Sequence, residues 1–341
     1  MPDVILKTVT DNLDFESIQS LRKVSHRFRN FIDDKKIDFQ LLGITVECYQ
    51  SKIKLMLRSN TRYHYFFYHE RENGCLVVKE KRMDPPDKTR FVKNLDFITV
   101  FLGEFENLLS HQKSTLEELN IYMKLGQQDF FESDCDNKLL EGIEAILKSR
   151  RRSLRVQKFY MLMTSQEDVL KVLPHVDPNF LRRIDLNHSH EYPRRSLEIE
   201  KLVDLERWKN AWELGIWRCT VSTTIQNFTH FSNAHFILNE CTLDMLYVLK
   251  ESLLQSHYFN QFKIYFNSLK STDEEKIIQV FGEPLIDRNK NHMSRSRCFS
   301  KIPNSYDVLV VTIIEMRFGL RLNRVPLDFV PKKVLKKHLL Y

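Results

Sequence analysis

The chain has 341 residues, 42% of them hydrophobic, a share that supports a packed core and excludes a disordered chain. Its formal charge is +7 with 45 acidic residues present, which fits a soluble protein with some basic faces and does not by itself indicate a nucleic-acid binder. Glycine is scarce, with 8 residues and no GxGxxG or GxxxxGK[ST] run, so no phosphate-cradling loop is written into the chain. The 6 cysteines are scattered without a CxxC pair and read as reduced packing residues.

The length suggests two or three domains, or a small head on a larger body. The first 33 residues carry apolar residues at helical spacing: Val4, Ile5, Val9, Leu13, Ile18, Leu21, Val24, Phe28 and Ile32. Three short helices are expected. Pro2 suits the start of the first, since its missing N–H would have no partner there. Asp14 and Ser25 can cap the second and third by accepting a first-turn N–H. A segment under about 40 residues seldom folds alone without a disulfide, metal or partner. No cysteine lies in it, so another chain or the rest of this one must complete its apolar surface.

After the head the period changes to alternation, and strands are expected over 44–49, 53–57 and 63–67. Ile53, Leu55 and Leu57 share one face of their strand, and Tyr63, Tyr65 and Phe67 one face of the next. Asn73-Gly74 predicts a tight hairpin turn, with 75–79 running back. Residues 38–82 thus read as a small antiparallel meander, ended by Asp84-Pro85-Pro86-Asp87. Helical spacing returns over 92–111, from Val92 through Phe97, Phe101 and Phe105 to Leu109.

From there an apolar-x-x-apolar-x-apolar motif recurs. It occurs at Leu116, Leu119, Ile121; at Val156, Phe159, Met161; at Leu181, Ile184, Leu186; at Phe259, Phe262, Ile264; and more weakly at Phe231, Ala234, Phe236. Amphipathic helices are expected between copies: Leu139 to Leu147, Val169 to Leu173, Ile199 to Trp212 and Leu243 to Leu253. The fold class expected is α/β, with α+β as the alternative: a three-helix head, a small antiparallel meander, then a degenerate leucine-rich-repeat-like array. In the tail, a helix capped by Thr272 should run over 273–281, and the basic stretch 287–304 should be an exposed loop or an irregular hairpin arm. A buried strand is expected over 308–314 with a partner over 317–325, and 331–341 should be a short basic helix or a frayed end.

The head resembles an F-box. Pro2, Val9, Leu13, Ile18, Leu21, Arg22, Val24, Ser25, Phe28 and Arg29 fall on that motif's positions, and the run LRKVSHRFRNFID from Leu21 to Asp33 is similar to the nematode F-box A family. Met1 stands where the motif usually has leucine, and Val4 where many F-boxes carry an acid. The body resembles the FTH domain that follows the F-box in that family. The likeness rests on His111-Gln112-Lys113 with Leu116 to Leu119, on Glu198 to Leu202 through Trp208 to Ala211, and on Phe228, Phe231 and Ser232. The resemblance implies docking on a Skp-type adaptor, and through it a cullin. The surface implied for this is Pro2, Ile5, Val9, Leu13, Ile18, Leu21, Val24 and Phe28. The domain limits that follow are 1–37 for the F-box, 38–90 for meander and linker, 91–270 for the FTH-like region and 271–341 for the remainder.

No GxSxG elbow or HExxH pair occurs, so no enzyme, metal or cofactor is read from the chain. His188 and His190 beside Glu191 alternate as metal ligands on a strand would, but weigh as surface histidines. Glu117-Glu118 and Glu274-Glu275 are adjacent carboxylates that should point apart. Basic runs are the better candidates for contact: Arg150, Arg151 and Arg152 with Arg155, then Arg182 and Arg183, then Arg194 and Arg195, then Lys332, Lys333, Lys336 and Lys337. On successive strands the first three groups could form a basic rim, and few aromatics interleave to stack bases. The sequence therefore reads as a non-catalytic substrate receptor of a cullin-type ubiquitin ligase, cytoplasmic and/or nuclear, away from membranes, with an unidentified target protein. The alternative is a basic repeat scaffold binding nucleic acid or an acidic protein without a ligase.

Overall fold

The computed structural model describes residues 3–80, 88–123, 134–188, 195–267, 271–288, 294–314, 319–331 and 334. The chain divides into two units, Met1–Leu181 and Arg182–Tyr341.

The first unit opens with the three expected helices, α1 (Asp3–Asp11), α2 (Phe15–Val24) and α3 (His26–Lys35). Asp14 caps α2 by accepting from the Ser17 N–H, and Ser25 caps α3 by accepting from Phe28. Lys36 ends α3 in the left-handed conformation, φ 49°, with its N–H on the Ile32 carbonyl. Leu6, Phe15, Ile18, Phe31 and Ile32 are buried. Arg22 on α2 pairs with Asp33 on α3 at 2.9 Å.

A meander follows: β1 (Gly43–Tyr49), β2 (Lys52–Arg58), β3 (Tyr63–Arg71), β4 (Gly74–Glu80) and β5 (Lys88–Lys93), each antiparallel to the one before. Four of these strands are the expected ones. The fifth takes Val92, which the apolar spacing assigns to a helix; α4 begins at Phe97 (Phe97–His111), where Asp96 accepts from Ile98 and Thr99. On β2, Ile53, Leu55 and Leu57 are buried as expected. On β3 the buried side chains are His64 and Tyr68, so Tyr63, Tyr65 and Phe67 lie on the other face. The hairpin turn is Glu72-Asn73 rather than Asn73-Gly74: Asn73 takes φ 62°, while Gly74 is already paired with Arg71 and Lys93. A Cβ at Gly74 would strike the Val92 carbonyl oxygen, so the glycine is needed for close approach of β5. The Asp84 to Asp87 stretch lies outside the described residues.

The sheet then turns parallel. β6 (Leu116–Tyr122) pairs with β1, and β7 (Val156–Met163) with β6, giving the order β5-β4-β3-β2-β1-β6-β7. α5 (Asp134–Ser149) links β6 to β7, and its Leu139, Leu140, Ile143 and Leu147 are buried. α6 (Gln166–Leu170) follows β7; Ser165 and Asp168 cap it reciprocally.

The second unit repeats this plan of parallel strands beside an antiparallel set. Its chain order is β8 (Arg183–His188), β9 (Arg195–Leu197), α7 (Glu200–Val203), α8 (Glu206–Asn210), β10 (Glu213–Trp217), β11 (Cys219–Val221), β12 (Asn233–Leu238), α9 (Leu243–Gln255), β13 (Gln261–Phe266), α10 (Ser271–Phe281), β14 (Leu285–Arg288), β15 (Ser294–Lys301), β16 (Asp307–Ile314) and β17 (Gly319–Pro326). Strands β8, β10, β12 and β13 are parallel neighbours, and β17, β16, β15 and β14 extend the sheet antiparallel. β9 and β11 add a short parallel pair.

All five expected motif copies fall on parallel strands or lead into them from two residues before, with every apolar position buried. Two further copies are not evident from the sequence: Leu41, Ile44, Val46, leading into β1, and Ala211, Leu214, Ile216, leading into β10. The register aligns them, with Ile44 beside Leu119, Leu119 beside Phe159, Leu214 beside Ile184, and Ala234 beside Phe262.

Other expectations change in detail. The stretch from Ile199 to Trp212 is two short helices, and Trp212 lies exposed beyond them. α10 starts at Ser271, so Thr272 is inside it. In the basic segment 287–304, the described residues 287–288 and 294–301 belong to β14 and β15, which pair antiparallel as a regular version of the hairpin-arm alternative. Of the last eleven residues only Pro331 and Val334 are described; Val334 packs with Val308, Val310 and Val330. Lys332, Lys333, Lys336 and Lys337 fall outside the described residues.

Candidate docking faces

The head's inward residues are chosen by α1 geometry. Leu6 and Thr10 lie four apart and face in, and the Thr10 hydroxyl donates to the Leu6 carbonyl at 3.0 Å. That leaves Val4, Ile5 and Val9 facing solvent, Val4 at 76% exposure. Val24 at the end of α2 is 72% exposed. Leu13, Leu21 and Phe28 are half-buried. Leu13, Leu21 and Val24 line a shallow groove of about 470 Å³ with Ser17 and Arg62. Ile18, expected on the docking face, is instead 0% exposed and belongs to the head's interior. Pro2 lies outside the described residues. The sequence marks Val4 as part of the apolar stripe and as a departure from the motif; the i, i+4 pairing of Leu6 with Thr10 is the signal that places it outside.

The head is fixed to the sheet at several points. Phe15 packs edge-on to Phe39 and to His64, with ring centroids 5.3 and 5.1 Å apart. Arg62 pairs with Glu16 at 3.1 Å, and Gln40 donates to the Asp11 carbonyl. Hydrogen bonding from Ser17 holds the Asp14 carboxyl below its ordinary pKa.

The strongest tie runs from residues 37–41 to the end of α4. His111 stacks on Phe39 at 4.2 Å with its Nδ1 on the Ile37 carbonyl. Gln112 exchanges two hydrogen bonds with the Leu41 backbone. The Lys113 and Ser114 N–H groups donate to the two Asp38 carboxylate oxygens at 2.9 and 3.0 Å. Burial lowers the His111 pKa, which keeps this buried imidazole neutral. The His111-Gln112-Lys113 landmark is thus the clamp that holds the segment following the head.

A cleft of about 840 Å³ opens beside this clamp, lined by Lys36, Lys113, Arg150, Arg151, Arg152 and Arg155, with Glu106 its one acidic lining residue among those described. Arg150 is partly buried: its guanidinium donates to the carbonyls of Leu109 and Gln112, at the end of α4, and burial lowers its pKa. Arg151, Arg152 and Arg155 are exposed. The other expected rim residues lie in the second unit. Arg182 and Arg195 are exposed, Arg183 is engaged by Asp185 and by Glu213 at 3.0 Å, and Arg194 lies outside the described residues. Glu117 and Glu118, expected to diverge, converge on Arg58 at 2.7 and 3.0 Å, one through Nη2 and the other through Nε.

Comparison with known proteins matches the F-box domain to residues 1–40 and the FTH domain to residues 137–284. F-box A protein 224 from Caenorhabditis elegans is 24% identical over 274 residues, covering 80% of this chain and 67% of that protein. The chain is thus similar to F-box proteins that carry an FTH domain, among them this F-box A protein. No solved structure matches it.

Within the FTH domain, the landmark residues build core. Trp208 is buried, donates its Nε1–H to the Asn227 carbonyl at 3.1 Å, and meets Phe228 and Phe231 edge-on. His230 Nε2 reaches the Trp208 carbonyl. These FTH residues therefore hold the fold. None of the six cysteines forms a disulfide. Among the described residues no group of three or more His, Cys, Asp or Glu is placed to hold a metal, and no helix is long and apolar enough to cross a membrane. His188 is buried on β8, while His190 and Glu191 lie outside the described residues.

Proposed function

We propose that this chain is a member of the F-box A family and a non-catalytic substrate receptor of a Skp–cullin–F-box ubiquitin ligase. The observation that carries the reading is the division of labour in the head. Leu6, Phe15, Ile18, Phe31 and Ile32 complete an internal core, yet Val4, Ile5, Val9 and Val24 still face solvent. An apolar face of this kind loses little by meeting a partner and gains the burial of every aliphatic it carries. A Skp-type adaptor covers it through an interface of about 1,200–2,000 Å². The body then holds a target protein, and the clamp at His111 to Ser114 keeps the first unit's body in a fixed orientation to the head. Such a chain speeds ubiquitin transfer by proximity, raising the effective concentration of target lysines near the loaded enzyme.

The test is capture on an immobilised cullin with and without the adaptor. The chain should be retained only when the adaptor is present. Retention without adaptor, or none with it, contradicts the assignment.

A further inference from the structure

The cleft beside the clamp carries more positive charge than the fold uses. Arg150 serves the fold directly, since it donates to two carbonyls at the end of α4, where a cation also offsets the negative helix end. Its Nε–H is nevertheless buried with no acceptor among the described residues. Lys36, Arg151 and Arg152 make no ion pair among the described residues, and Lys113 Nζ reaches only the Lys35 carbonyl. Arg155 lies over the Phe180 ring at 4.8 Å, an arrangement that leaves its charge unneutralised. One helix end needs one cation, so five more around a single carboxylate, Glu106, repel one another without benefit to the fold.

The backbone adds donors at the same place. Among the described residues, the peptide N–H groups of Arg151, Arg152 and Ser153 make no hydrogen bond. Consecutive free N–H groups beside guanidinium forks suit a tetrahedral oxyanion, which has three oxygens to satisfy and close to two negative charges. A carboxylate offers two oxygens and one charge, and would leave most of these donors unused. Among the described residues no aromatic side chain lines the cleft, so none of them offers a nucleotide base a stacking platform. At about 840 Å³ the cleft is far larger than one phosphate, and its cations come from three separate stretches of chain, around Lys36, Lys113 and Arg151. Leu109 and Ile146 add apolar wall between them. That is room for a few residues of peptide on either side of the anion.

We propose that this cleft binds a phosphorylated peptide segment, with Arg151, Arg152 and Lys113 clasping the phosphoryl group. This deepens the target-holding half of the proposed function, and rests on it only for where the peptide comes from. Adaptor binding is scored separately, so failure of either is distinguishable. The test uses the full-length chain, purified alone and with the adaptor, against degenerate peptide libraries fixed at the centre with phosphoserine, serine or glutamate. The phosphoserine library should bind at least tenfold more tightly than the other two. Binding should weaken with added salt and fall at least tenfold in Arg151→Glu/Arg152→Glu and in Lys113→Glu, with unchanged thermal unfolding. Equal binding of the three libraries overturns the proposal, as does full binding by both folded variants. Binding of inorganic tripolyphosphate with no phosphopeptide binding overturns the peptide assignment and leaves a free-phosphate site.

Discussion

Gln112 and Leu41 exchange a pair of hydrogen bonds across 71 residues of sequence: the Leu41 N–H donates to Gln112 Oε1 at 3.1 Å, and Gln112 Nε2 donates to the Leu41 carbonyl at 3.1 Å. The side chain acts as a short piece of strand. It satisfies a buried backbone that has left α3 and not yet entered β1, where an unpaired polar group is costly. Gln112 Nε2 also reaches the Ser114 carbonyl, so one amide ties the linker after the head to the turn before β6.

Gln112→Ala should therefore cost about 2–4 kcal/mol, since it strands a buried donor and a buried acceptor together. Gln112→Glu should restore the bond from the Leu41 N–H but set a carboxylate against the Leu41 carbonyl. Urea unfolding of the three proteins is the check. A loss below about 0.5 kcal/mol for the alanine variant, the range of ordinary surface changes, contradicts the clamp.

The head's two faces should respond differently to truncation. Ile18→Ala opens a cavity in a closed core and should destabilise by about 2–5 kcal/mol. Val24→Ala removes only solvent-facing methyl groups and should stay within about 0.5 kcal/mol. Adaptor affinity should show the reverse emphasis, with Val24→Ala weakened despite its native stability. Equal stability losses at both positions would mean that Val24 is not on an open face.

Five histidines, His64, His69, His111, His230 and His235, have lowered pKa values, each chiefly through burial, and His235 is pushed to about 4. The unfolded chain keeps them near the ordinary 6.5 and binds protons there that the folded chain declines. Stability should thus be full above about pH 6.5 and decline as the pH falls, the His235 share being lost towards pH 4. The urea midpoint at pH 5 should lie below that at pH 7.5, and His235→Gln should flatten the difference. A midpoint that is level or rises on acidification contradicts this.

The parallel-strand motif shows what the sequence could and could not disclose. Copies carrying large side chains, such as Val156, Phe159 and Met161, were legible because each strand must bury three apolar residues at fixed spacing. The copy led by Ala211 was hidden by its small side chain. The copy at Leu41 was hidden because β1 also pairs antiparallel with β2, so its alternation suited either direction. The edge strand β5 was missed because it is largely exposed and lacks a buried face. On the head, periodicity located the helices but could not separate Ile18 from Val24, since both fit an apolar stripe and only packing decides which is enclosed. The clamp had no periodic signature at all. Gln112 and Asp38 act on backbone more than 70 residues away, and a side-chain-to-backbone bond of that reach leaves no mark in spacing.

The central claim is that the head's outer aliphatic face is the adaptor's docking surface. Isothermal titration of the full chain with a Skp-type adaptor measures it directly, using wild type and Val9→Asp/Val24→Asp, two exposed positions at which a charge costs nothing until it is buried. The account predicts a saturable complex for wild type and at least a hundredfold weaker binding for the variant, with the same unfolding curve. A variant that binds as tightly as wild type would contradict it.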